Sequence, residues 1–333
     1  MNNDVVKIVT HNGQFHADDV LACALLKLII PNSDIFRTRN DNIINNCEYV
    51  VDVGRIYNPD NNRFDHHQKG CYEVYSKNYD TPMSSVGMVY KKFGKDIIET
   101  LLKQYNGDIE KVNINYITNT MYKSFIKEID CIDNGISNNS LNETNNNEKN
   151  KYFITTNFSS TINKFNSIDS YDHNEQMVRF SEAMDYAILM FKVHLFNYID
   201  KSIVFEKDGE IVKIVMEERF KYDKDGQIIV FTTQCTNSMN HIKSYEKTNE
   251  IDINSKNSIK YVIYLGDTDE YRIRAMPSDK IFVNRRNLKT KEELEQLDET
   301  LKDKIIFIHN CKFVGGTKDL ESAIKIAQLS LLD

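Results

Sequence analysis

Short apolar runs alternate with amphipathic segments along the first half of the chain, and this rhythm limits the fold more than any other feature. Val5-Val6-Lys7-Ile8-Val9 reads as a strand. Val20 to Ile30 reads as a helix, with Leu21, Cys23, Ala24, Leu25 and Leu28 spaced for burial and Pro31 as its stop. Ser33 to Arg37 and Tyr49 to Asp52 read as further strands, while Ser84 to Phe93 and Ile114 to Ile132 have helical spacing. Strands alternating with helices predict an α/β fold, a mostly parallel sheet with helices on both faces.

Residues 137–150 are rich in Asn with scattered Lys and Glu, and read as a flexible insertion with almost nothing to bury. The helical pattern resumes at Glu175 and runs to about Asp200. With 333 residues the chain exceeds one typical domain, and we divide it into 1–201 and a smaller α/β domain over 202–333. In the second part Ile211–Met216, Gln227–Thr232, Tyr261–Leu265, Tyr271–Met276 and Lys304–Ile308 read as strands. Lys291–Leu301 and Lys318–Leu331 read as helices.

Four of the eight histidines fall within the first 67 residues. The loop after the first strand carries His11, His16, Asp18 and Asp19; Asp52 follows a later strand; Asp65-His66-His67 comes soon after. Open α/β sheets bind ligands beyond the carboxyl ends of their strands, so these segments are expected to converge, joined by Asp133 at the end of the long helix. Neutral imidazoles with carboxylates and no thiolate suit a divalent metal, Mn²⁺ first, with Mg²⁺, Zn²⁺ or Fe as alternatives. The abundance of carboxylates points to two ions per chain, about 3.5–4 Å apart and bridged by one carboxylate; Asp52 is our choice for the bridge. Taken alone, Asp18-Asp19 reads as a helix start and Asp133-Asn134-Gly135 as a helix-ending turn.

The formal charge of −7 argues against a protein that coats duplex nucleic acid through a basic face. Six scattered cysteines without a C-x-x-C pair suggest neither a zinc knuckle nor a disulfide framework. No apolar stretch reaches the roughly 18 residues of a membrane span, and no secretory or mitochondrial leader is evident. The expectation is an intracellular protein of cytoplasm or nucleus with no membrane partner; an oligomer is compatible with the sequence but not derivable from it.

The elements HNGQFHADD, VVDVG, DHHQ and EIDCIDNG, in this order, resemble the motifs of the DHH phosphoesterase superfamily. The whole chain resembles the melanocyte-proliferating-gene family (UPF0160-type) within it, through Met83-Ser84-Ser85-Val86-Gly87, Tyr271-Arg272-Ile273-Arg274 and Phe313-Val314-Gly315-Gly316-Thr317-Lys318 as well. The resemblance implies a DHH-type catalytic domain facing a smaller substrate-binding domain across a cleft. It also implies that His11, His16 and Asp52 hold one ion and Asp18, Asp52, His66 and Asp133 the other. His67 would contact substrate phosphate or support the ligands from behind.

The implied activity is phosphodiester hydrolysis, a 3′–5′ exonuclease on single-stranded RNA or short oligonucleotides. Asp52 and His67 are its expected catalytic residues, and a hydroxide bridging two ions is the expected nucleophile. Arg272, Arg274 and Arg285, in a basic interval with Arg286, are candidate phosphate contacts, although most such runs are solvated faces. Gly315 and Gly316 are expected to offer backbone N–H groups to an anion ahead of the closing helix, with Lys318 and His309 beside them. Alternatives are a small-molecule phosphohydrolase acting on pyrophosphate or a cyclic dinucleotide, and a non-catalytic RNA-binding scaffold that keeps metals for folding.

Overall fold

A computed structural model of the chain describes residues 5–105, 112–136, 154–168, 172–266 and 268–332. It divides into two compact units, Met1–Ser202 and Ile203–Asp333. The Asn-rich segment 137–150 lies outside the described residues.

In the first unit β1 (Val6–Thr10) leads into α1 (Ala17–Ile29), followed by β2 (Ser33–Arg37), α2 (Asp41–Ile44), β3 (Tyr49–Val51), β4 (Tyr57–Asn58) and β5 (Arg63–Phe64). The strand order is β2-β1-β3-β5-β4. All neighbours are parallel except the edge pair, where β4 runs antiparallel to β5. The mostly parallel sheet is therefore as expected from the alternation. Its consequence is positional: β1, β3 and β5 are adjacent and parallel, so the segments that follow them all emerge from one edge. Val9 and Val50, partners across β1 and β3, form a buried cluster with Ile44, Cys47 and Val53.

Next come α3 (Ser85–Leu102), α4 (Ile114–Met121), a π-helical turn over Tyr122–Ile126, and α5 (Lys127–Asp133). The helix expected over Ile114 to Ile132 is thus one run with a π-turn inside it, a feature frequent at functional sites. α1 and α3 pack on each other and on the sheet. α6 (Phe158–Asn163) and the first part of α7 (His173–Glu218) complete the unit.

The second unit takes the rest of α7, then β6 (Ile228–Phe231), α8 (Ser238–Thr248), β7 (Tyr261–Leu265), β8 (Tyr271–Ala275), α9 (Lys291–Leu297), β9 (Ile305–Ile308), β10 (Val314–Thr317) and α10 (Leu320–Leu331). Its sheet runs β6-β7-β8-β10-β9, and only β6 and β7 are parallel. Successive strand residues point to opposite faces. Ile228 and Val230 join one core with Ala323, Ile326 and Ala327 of α10, while Ile229 and Phe231 join another with Val212, Met216 and Ile242.

That second core corrects the strand expected at Ile211–Met216, which is helix within α7. The apolar run is dense enough to suit either period, but Val212 and Met216 are buried four residues apart on one helical face, against β6. The expected Lys291–Leu301 helix stops at Leu297, before a 3₁₀ turn over Glu299–Leu301. Among the described residues no helix is long and apolar enough to cross a membrane.

Candidate metal centre

The loop after β1 is fixed from three directions. Asn166 receives the Phe15 N–H at 2.9 Å and donates to the Phe15 carbonyl at 2.8 Å, from 151 positions away. Arg37 donates to the Gly13 carbonyl at 2.6 Å and lies over the rings of Phe15 and Phe180. At the start of α1, Asp19 accepts the His16 N–H at 2.7 Å in a capping box. Its neighbour Asp18 is wholly buried. Asp19 thus serves the helix start, while Asp18 turns to the neighbouring imidazole of His66.

Asp52, the residue after β3, sits in the left-handed region with φ 58°, a conformation costing a non-glycine residue about 1–3 kcal/mol. Its N–H donates to the Phe64 carbonyl of β5 at 3.0 Å, and its two carboxylate oxygens meet different imidazoles. Oδ2 lies 3.3 Å from His11 Nε2; Oδ1 lies 3.4 Å from His66 Nε2 and 3.3 Å from His67 Nδ1. His66 Nε2 is also 3.1 Å from Asp133 Oδ2 and 4.0 Å from Asp18 Oδ2. Three groups each have ligand atoms within 4.8 Å of one another: His11, His16 and Asp52; Asp52, His66 and His67; Asp18, His66 and Asp133. Between them the three groups take in all six candidate ligands and His67, His11 and His16 meeting at Asp52, and Asp18 and Asp133 at His66, which links the groups.

Other residues hold this arrangement. Asp65 accepts from His67 at both its N–H, 3.0 Å, and its Nδ1, 2.8 Å, while its other oxygen takes the Arg55 N–H at 2.5 Å. Ser85, in the first turn of α3, donates its Oγ to Asp52 at 3.0 Å and its N–H to Asp18 at 3.3 Å. Asp19 Oδ2 is 3.4 Å from His11 Nε2. From the sequence Asp19 reads as part of a helix start, without being placed against His11, and nothing local singles out Ser85.

The charges are mutually adjusted. Burial alone would raise the Asp52 pKa, but hydrogen bonds and charge from His11 and His66 hold it well below the usual carboxylate range. Burial opposes charge on His66, yet the bonds and charges of Asp133 and Asp52 push its pKa up to about 10. His11 is raised in the same way, against burial, by Asp52 and Asp19. Burial, then the charges of Asp52, Asp133 and Asp19, push Asp18 well up, and burial takes Asp19 to about 7 despite His11. Asp18 Oδ1 and Asp19 Oδ2 are buried acceptors without a hydrogen-bond partner among the described residues. Buried polar atoms are nearly always partnered, so hard acceptors left in this state among imidazoles fit a divalent cation.

The predicted substrate residues of the second unit fare differently. Arg285 forms a bidentate ion pair with Glu246, at 2.6 and 2.8 Å, with both side chains 2% exposed. That guanidinium is committed to the fold. Gly315 and Gly316 lie inside β10, paired with β8 and β9, rather than in a turn before the closing helix. A Cβ on either would fall 2.6 Å from Ile308 or Phe307, so close packing explains the glycines. Arg272 pairs with Glu270 and lies over Phe307. Arg274, His309 and Lys318 are exposed, and His309 Nδ1 accepts the Cys311 N–H.

A family model described as "Uncharacterised protein family (UPF0160)" matches residues 7–331. The chain is 31% identical over 338 residues to the MYG1 exonuclease of Mus musculus, covering 98% of this chain and 84% of that one. It is 30% identical over 337 residues to MYG1 protein C27H6.8 of Caenorhabditis elegans, covering 97% and 94%, and 30% identical over 336 residues to MYG1 protein YER156C of Saccharomyces cerevisiae, covering 98% and 95%. A crystal structure of exonuclease RecJ bound to manganese overlaps 99% of this chain and 91% of its own, at TM-score 0.27 and 8% identity, too loose a superposition to argue from.

Proposed function

The chain belongs to the UPF0160 family, and on that footing we propose that it is a metal-dependent phosphodiesterase that removes nucleotides from the 3′ end of single-stranded RNA. The name exonuclease carried by its mammalian relatives supports the class of reaction. The observation that carries the reading is Asp52, one buried carboxylate facing His11 through one oxygen and His66 and His67 through the other.

His11, His16 and Asp52 would hold one divalent cation, and Asp18, Asp52, His66 and Asp133 a second, manganese being the metal best suited to this mixture of donors. Bound there, such cations lower the pKa of water toward neutrality and offset the charge of phosphoryl oxygens. The chain's own residues do the positioning. Ser85 and the φ of Asp52 fix the shared carboxylate, and Asp19 fixes the entry of α1 beside His11. Asp65 engages His67 at Nδ1, which leaves Nε2 to meet substrate. The hydrogen bond to Asp65 raises the His67 pKa despite its partial burial. His67 would then donate Nε2–H to a phosphate oxygen as charge develops, the role of a preorganised donor.

The test is turnover with Mn²⁺ on RNA labelled at either end, beside single-stranded DNA and pyrophosphate, for the native chain and Asp52→Asn. Shortening of RNA from the 3′ end is expected. Asp52→Asn should lose at least 10³-fold in turnover, on the order expected for a lost electrostatic centre, with bound metal reduced and an unchanged far-ultraviolet spectrum. Hydrolysis of pyrophosphate alone, or an active Asp52→Asn, would overturn the reading.

A further inference from the structure

Beside Asp52 the first unit opens a cavity of about 910 Å³. Asp52, Asp65 and His67 line it from the metal centre, and Arg39, Arg55 and Lys69 line it with positive charge. The unit has five arginines. Three serve the fold: Arg37 binds the Gly13 carbonyl, Arg63 the Glu48 and Asn61 carbonyls, and Arg179 the Glu175 carboxylate. The remaining two, Arg39 and Arg55, are exposed, both line this cavity, and among the described residues neither they nor Lys69 has a carboxylate within ion-pair distance. Asp41 is a further acid of the lining, and it pairs with none of them.

Arg55 has a second peculiarity. Its φ is 56°, in the left-handed region that favours glycine. Its N–H is tied to Asp65, the same carboxylate that orients His67. One buried anchor thus holds the His67 imidazole and the Arg55 backbone, both residues lining the cavity, at a position where an arginine is conformationally costly. Such strain is retained where the side chain has a use.

We propose that Arg39, Arg55 and Lys69 form an oxyanion subsite for the phosphodiester next to the scissile one, so that the first unit alone grips two successive phosphates of a nucleic-acid chain. Guanidinium groups suit this contact because their N–H forks match phosphate oxygens. The subsite rests on the phosphodiesterase reading above, and it makes the substrate a chain of several nucleotides, with single-phosphate esters handled poorly.

Two measurements test it on the full chain, with Arg39, Arg55 and Lys69 changed together to Ala. In steady-state kinetics with Mn²⁺, KM for a short oligoribonucleotide should rise about tenfold or more, while kcat falls less than about twofold, the signature of lost ground-state binding. The preference in kcat/KM for the oligonucleotide over bis-p-nitrophenyl phosphate should shrink by a similar factor. In fluorescence anisotropy with the same labelled oligonucleotide, the dependence of log affinity on log salt should flatten by about 0.7, the slope of one neutralised phosphate on a single strand. If the native chain hydrolyses neither substrate, the phosphodiesterase reading fails, and the anisotropy still decides the subsite. Unchanged KM and affinity, or an equal loss on both substrates, would overturn it. Arg55→Gly guards against misfolding: glycine is at ease at this φ, so the variant should melt no lower than the native chain and still bind the oligonucleotide more weakly.

Discussion

Gly87→Ala should be costly, and the cost should depend on one residue far away in sequence. A Cβ built on Gly87 would lie 2.4 and 2.5 Å from the carboxylate oxygens of Asp130 and 2.8 Å from its Cγ. Ordinary contact is about 3.5 Å, so about 1 Å of overlap must be relieved. If the Asp130 side chain turns, it gives up the Ser84 N–H at 3.0 Å, the Ser84 hydroxyl at 2.7 Å and the Tyr122 hydroxyl at 2.9 Å. Each lost bond is worth about 1 kcal/mol, and a buried polar group left without a partner costs about 1–3 kcal/mol more. If α3 shifts instead, Ser85 moves with it, and Asp52 and Asp18 lose their donors. The first route gives a destabilisation of about 4–6 kcal/mol and the second about 3–5 kcal/mol, both above the usual 1–3 kcal/mol of overpacking. Asp130→Ala removes the obstructing carboxylate, so in that background Gly87→Ala should cost less than about 1 kcal/mol, a coupling of at least about 2 kcal/mol. The assay is urea unfolding of the four chains by circular dichroism, since the protein has no Trp. A coupling within about 0.5 kcal/mol of zero would refute the reasoning.

Three further outcomes are expected. Burial pushes the Asp130 pKa up to about 7, against the bonds from Ser84 and Tyr122; the folded state therefore holds a proton that the unfolded state releases above its ordinary pKa. Stability from this group falls as pH rises from about 4 to about 7, and Asp130→Asn should remove that slope, which urea midpoints of both proteins at pH 4.5 and 7.5 would show. Arg285→Ala should strand the buried Glu246 and destabilise the second unit by about 3–5 kcal/mol without raising KM for RNA; a stable protein with raised KM would return Arg285 to the substrate site. Because the metal-free chain holds the His66 pKa at about 10, Mn²⁺ binding at pH 7 should release protons and tighten as pH rises. Calorimetric enthalpies that do not change between buffers of different ionisation enthalpy would contradict this.

How far the sequence could be read depends on whether a residue's reason lies near it in the chain. His11 and Asp52 could be placed from sequence because each follows a predicted strand directly, and adjacent parallel strands bring such positions to one edge; Asp65 follows β5, a two-residue strand that no apolar run announces. The partners that decide the other cases lie far off. Arg285 looked like a free cation until Glu246, 39 residues away, was found against it. Ile211–Met216 carried enough apolar residues for either period, and the choice came from Val212 and Met216 meeting Ile229 and Phe231 of a strand further along. Gly315-Gly316 makes the point most sharply. Paired glycines before a helix suggest a turn because glycine frees the backbone, yet neither has a positive φ. They are glycines because Ile308 and Phe307, on the neighbouring strand, fill the space in which their side chains would stand. Sequence alone shows that a side chain is missing; only the packed sheet shows whether the backbone or a neighbour required its absence, and the two call for opposite predictions. A glycine kept for its φ tolerates Asn at modest cost, whereas a Cβ at Gly315 or Gly316 must displace Ile308 Cδ1 or the Phe307 ring, so alanine there should cost less once Ile308 or Phe307 is trimmed at the same time.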